Sequence, residues 1–92
     1  MPFPGLSKRT LHDDPVNGRS TVLLRLEAGA RLPDHPHPGV EEFLILEGDL
    51  QTPDGPRSAG DYERSSPGSV HVEQRSKTGC LALLVVPFGM LG

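Results

Sequence analysis

The chain has 92 residues, and its eleven glycines and ten prolines make up about 23% of them, roughly twice average usage. That punctuation leaves no room for long helices, while a hydrophobic content of 35% suffices for a folded core. Nine Lys and Arg, scattered along the chain with Lys8-Arg9 as the one adjacent pair, against twelve Asp and Glu give a net charge of -3, which excludes the basic stripe of a nucleic-acid binder.

The N-terminal segment through His12-Asp13-Asp14-Pro15 reads as a polar loop. It lacks the basic-then-apolar order of a secretory leader, and no stretch of the chain approaches the ~20 apolar residues that span a bilayer. A soluble cytoplasmic protein with no membrane partner is expected. Ser20 to Glu27 then alternates strictly, with Val22, Leu24 and Leu26 on one side and Leu23, Arg25 and Glu27 on the other, the pattern of a strand with one buried face. Pro33, Pro36 and Pro38 keep the following segment extended.

Glu41 to Glu47 is the next strand, with Glu41, Phe43 and Ile45 on one side and Glu42, Leu44 and Leu46 on the other. Gly48-Asp49 reads as the turn that reverses it. Thr52-Pro53-Asp54-Gly55-Pro56 is the strongest hairpin signal, because Pro presets one φ and Gly accepts a positive one. Gly60-Asp61 is a further turn, and Ser65-Ser66-Pro67-Gly68 leads into a strand over Val70 to Gln74. Cys80 to Val86 is the most apolar run and reads as a strand buried on both faces. Turns recurring about every ten residues with no helical period predict an all-β antiparallel sandwich or small barrel. The whole chain, 1–92, is read as one domain with its core at about 20–87.

Three of the four histidines are spaced as a metal site requires. His35 and His37 lie two apart in an extended segment, so they project to one side about 6.5–7 Å apart at the backbone. Glu41 shares parity with Phe43 and Ile45, so a carboxylate faces inward if they do; Glu42 is its rival. His71 would join them if its strand pairs with the one that carries His35. Three imidazoles and a carboxylate suit a divalent ion such as Zn, Fe, Mn or Ni.

The spacing also resembles a family signature. Gly29, five residues, His35-x-His37, three residues, Glu41, six residues and Gly48 match the first cupin motif, G-x5-H-x-H-x(3–4)-E-x6-G. Gly60-x5-Ser66-Pro67-Gly68-x2-His71 resembles the second, with Ser66 in place of Pro and Arg75 in place of Asn. The doubled Glu41-Glu42, the run Leu44 to Gly48, the Pro67 to His71 turn and Gly79-Cys80 are similar to the ChrR-type cupins of certain zinc-dependent anti-sigma factors. Sigma binding by those proteins belongs to a separate helical domain, which this chain has neither the length nor the cysteines to contain. The resemblance implies a jelly-roll barrel (double-stranded β-helix) holding a divalent metal on His35, His37, Glu41 and His71. It also implies either a dioxygenase acting on a small oxygen- or sulfur-bearing molecule or a non-catalytic zinc-binding sensor. No general base beyond the ligands is identifiable.

The remaining singled-out residues have plainer readings. His12 is read as solvated, Cys80 as a packing residue, and Tyr62 and Arg25 as rim residues with a possible role on a substrate oxygen. Outward Leu44 and Leu46, with one face of the Cys80 to Val86 run, leave apolar surface that predicts a homodimer.

Overall fold

The computed structural model describes residues 4–32, 35–36, 39–68, 70–71 and 74–89. Among them are eight strands and no helix: β1 (Leu6–Asp14), β2 (Arg19–Leu26), β3 (His35–Pro36), β4 (Glu41–Thr52), β5 (Gly55–Ser58), β6 (Tyr62–Ser65), β7 (Val70–His71) and β8 (Cys80–Pro87). A six-stranded antiparallel sheet runs β1-β2-β8-β4-β5, with β6 also paired to β4, and β3 pairs with β7 separately. The N-terminal segment expected as a loop is therefore largely a strand. Its sequence hides this because only Leu6 of β1 is buried. Pairing with β2, not an apolar alternation of its own, makes it extended.

The inner face of the large sheet is built in register. Leu24 lies opposite Ala82, which lies opposite Ile45; one step along, Val22, Leu84 and Phe43 form the next row. Val22, Ile45 and Val86 are almost wholly excluded from water. Burying side chains of this size stabilises by roughly 1.5–3 kcal/mol each. β8 departs from its expected two-sided burial: Cys80, Ala82 and Val86 are buried, whereas Leu81, Leu83 and Val85 are half-buried. On that outer side Leu83 has Leu23 and Leu44 as its cross-strand partners, and these side chains shield one another only laterally.

The segment expected to turn at Gly48-Asp49 instead continues as one strand through Thr52. A register shift between Ile45 and Glu47 and a φ of 82° at Gly48 bend it there. Up to the bend β4 pairs with β8; beyond it, Gln51 exchanges both backbone hydrogen bonds with Arg75, at 2.7 and 3.1 Å. Arg75 is also bridged to Arg31, and Leu32 N–H donates to Gln74 O at 2.8 Å, so the ribbon carrying β3 and β7 joins the far half of β4. One strand thus belongs to both layers of the jelly roll. The predicted hairpin over residues 52–56 is present, with Thr52 opposite Gly55.

Asp49 holds the bend in place. Its carboxylate accepts hydrogen bonds from Thr78 Oγ1 (2.6 Å), Thr78 N (2.8 Å), Lys77 N (3.0 Å), Ser76 Oγ (3.1 Å) and Gln51 Nε2 (2.7 Å). Burial acts to raise its pKa, but these donors outweigh it and hold the carboxyl well below the usual carboxylate range. On the adjoining strand, burial, with the Asp49 charge adding to it, pushes the Cys80 thiol up to about 11.

Two outcomes follow from this corner. A Cβ at Gly48 would lie 1.9 Å from Gly79 O, whereas one at Gly18, also at positive φ, meets nothing within 4 Å. Gly48→Ala is expected to cost roughly 2–5 kcal/mol in urea unfolding, against about 1–2 kcal/mol for Gly18→Ala; equal losses would contradict the close approach. For Cys80, alkylation by iodoacetamide at pH 8 should be about a hundredfold or more slower in the folded chain than in urea. Similar rates in both states would contradict a buried, protonated thiol.

Candidate metal centre

Glu41 opens β4, and its neighbours on the strand settle which way it faces. Glu41, Phe43 and Ile45 are buried while Glu42 and Leu44 are half-buried and Leu46 is exposed. Glu41 is 5% exposed, and its Oε2 is shut off from solvent. A carboxylate is held at that depth only where donors or a cation compensate its charge. Glu42 is committed elsewhere: Arg19 Nη2 meets its Oε2 at 3.2 Å, and the Tyr62 hydroxyl donates to its Oε1 at 2.5 Å. The bond to that carboxylate pushes the Tyr62 phenol up.

β3 and β7 supply the histidine positions. They pair antiparallel, which meets the condition on which His71 would join the site, and the register sets His35 directly opposite His71. Short connections tie the ladder to Glu41 from both sides, since Glu41 follows β3 closely in sequence and pairs with Ser65 of β6, the strand before β7. His37 lies outside the described residues. Among the described residues no group of three or more His, Cys, Asp or Glu side chains converges as a metal cluster.

Gln74, not singled out by its sequence, is buried at 4% exposure with a buried Oε1 that has no hydrogen-bond partner among the described residues. Arg75, standing where the second motif has Asn, is exposed and contributes through its backbone bridges to Arg31 and Gln51.

The other candidates lie away from Glu41. Tyr62 is 56% exposed, with its hydroxyl engaged by Glu42. Arg25 lies on a shallow groove of about 340 Å³ with Glu47, Thr78, Cys80 and Leu81, at the opposite end of β2 and β8. His12 is exposed on β1. No described helix is long and apolar enough to cross a membrane.

This arrangement has clear structural counterparts. Acetylacetone dioxygenase from Acinetobacter johnsonii superposes with a TM-score of 0.83 at 21% identity, over 95% of this chain and 66% of that one. A chain of the complex between Rhodobacter sphaeroides SigE and the anti-sigma ChrR superposes with a TM-score of 0.81 at 24% identity, over 94% of this chain and 46% of that one. KdgF from Halomonas sp. gives a TM-score of 0.74 at 16% identity, over 95% of this chain and 83% of that one. The chain thus spans about two thirds of the dioxygenase and about half of the ChrR-complex chain. A search of curated protein sequences finds no match. At these identities the likeness establishes the cupin fold. Residues 1–87 match the family described as ChrR Cupin-like domain, and the chain belongs to that family.

Proposed function

We propose that the chain is a divalent-metal-binding cupin whose ion is held by His35, His37, Glu41 and His71, and that it oxidises a small oxygen- or sulfur-bearing molecule with dioxygen. The observation that carries this reading is the inward, 5%-exposed carboxylate of Glu41, tethered closely in sequence to the His35–His71 ladder. Three imidazoles and one carboxylate form a borderline-hard donor set that fits Zn, Fe, Mn or Ni. When bound, such an ion supplies Lewis-acid polarisation and an open coordination position for substrate and dioxygen.

The chain's own contribution is placement and exclusion of water. Phe43 and Ile45 follow Glu41 on the same buried face of its strand, an apolar wall that keeps water from beside the carboxylate. Glu42 and Tyr62, bonded to one another on the outer side, are left out of the chemistry. The likeness to the Acinetobacter johnsonii acetylacetone dioxygenase supports a diketone as a first substrate to try.

A second reading, a non-catalytic zinc-binding sensor or interaction module, is favoured by membership of the ChrR cupin-like family. In either case the protein works in the cytoplasm as a homodimer, covering the outer row of Leu23, Leu83 and Leu44.

Dioxygen consumption by protein purified without added metal, against a panel of diketones and thiols, separates the two readings. Turnover on one member supports the dioxygenase; no turnover on any member with zinc bound supports the sensor. His37→Ala is expected to weaken metal retention at least about tenfold and to lower Tm by roughly 4–8 °C for each kcal/mol of binding lost. Unchanged metal content in that variant would remove His37 from the site.

A further inference from the structure

The inner face of β1 ends in a groove lined by none of the four proposed metal ligands, and its composition is not that of a core. Thr10 lies opposite Val22, His12 opposite Thr21 and Asp13 opposite Ser20, so the register shifts between Thr10 and His12 and Leu11 is left as the extra residue, 49% exposed. In an unbroken ladder His12 would stand opposite Ser20. The bulge instead brings Asp13 to that position, and Ser20, itself only 6% exposed, donates its Oγ to Asp13 Oδ1 at 2.6 Å.

Further along the strand the same side carries Thr10 and Lys8, the latter opposite the core residue Leu24. Lys8 is half-buried and has no ion pair among the described residues. Phe88, fixed by its N–H to Gly18 O at 2.9 Å, closes the groove from the end of β8. Lys8, Thr10, Asp13, Ser20, Val22 and Phe88 line an open groove of about 190 Å³, with Lys8 toward one end, Asp13 and Ser20 toward the other, Val22 between them and Phe88 beyond Ser20.

We propose that this groove binds a small organic carboxylate that also carries a hydrogen-bond donor, the chemistry shared by short hydroxy acids and amino acids. The ligand's carboxylate is met by Lys8, its hydroxyl or ammonium by Asp13, and its carbon skeleton by Val22 and Phe88. The Ser20 hydroxyl orients Asp13, leaving the other carboxylate oxygen for the ligand. Asp13 and Thr10 are exposed at the rim, and the buried floor is Ser20 and Val22; charge-assisted bonds are the stronger hydrogen bonds such a groove can offer. The assignment is independent of the metal reading, because the groove contains none of His35, His37, Glu41 or His71.

The test is an NMR titration of the full chain with L-lactate, L-alanine, propionate and acetamide, following the backbone amides of Lys8, Thr10, Ser20 and Gly89. Lactate or alanine is expected to shift these amides, with propionate weaker and acetamide without effect. Lys8→Ala should weaken binding about tenfold or more. Asp13→Asn keeps an oxygen for Ser20 but removes the charge, so it should weaken alanine, whose donor is an ammonium, more than lactate, whose donor is a hydroxyl; no loss for either ligand would overturn the role of Asp13. The proposal is overturned if neither lactate nor alanine shifts these amides, if acetamide shifts them as strongly, or if Lys8→Ala leaves the affinity unchanged.

Discussion

The close approach of β4 to the Gly79 carbonyl at Gly48 is the constraint on which the architecture rests. With no side chain at that position, the strand can bend with φ at 82° and pass from one layer to the other. Asp49, the next residue, then faces the 76–78 loop and accepts four hydrogen bonds from it, with Gln51 on its own strand adding a fifth. Those donors keep the carboxylate ionised despite its partial burial, so the corner is locked by charge-assisted bonds rather than by apolar packing. A single continuous strand consequently carries Glu41 in the first layer and Gln51 in the second, and the interior is the space between them.

That interior is graded along the strands. At one end of the large sheet the inner row is Leu6, Leu26 and Cys80; at the other it is Asp13 and Ser20, with Val86 opposite Ser20. Glu42 lies opposite Val85, which puts Glu41 at the level of Val86, on the polar end. The apolar end supplies the packed core, and the polar end holds the groups on which both proposed sites rest. Cys80 sits at the apolar end with its thiol pushed up to about 11, so this single cysteine acts as a small core residue and not as a nucleophile.

Much of this was legible in the sequence, for reasons that differ from residue to residue. The inward face of Glu41 followed from its parity with Phe43 and Ile45, a local property of one strand that burial of a sheet face enforces. The 52–56 hairpin followed from turn chemistry. The pairing of the His71 strand with the His35 segment is a condition that strand alternation leaves open and the register meets, while the cupin spacing marks Gly48 as a required glycine without giving its role. Glycine between apolar strands signals positive φ, and nothing local distinguishes a hairpin from a bend within one strand; the Gly79 carbonyl that decides it is distant in sequence. β1 was invisible for a similar reason, since a polar edge strand is specified by its partner. The half-burial of β8 was overread because an apolar run reports hydrophobicity and not how many layers cover it. Gln74 and the Lys8 groove became apparent only once register placed them on the inner face.

The central proposal about function is that the inward carboxylate of Glu41, with His35, His37 and His71, serves a metal ion in a ChrR-like cupin. The most direct measurement is elemental analysis of the wild-type chain purified without added metal or chelator. The account predicts one divalent transition-metal ion per chain, lost in Glu41→Ala. Sub-stoichiometric metal in the wild type that exchange with zinc, iron, manganese or nickel fails to raise to one per chain would contradict it.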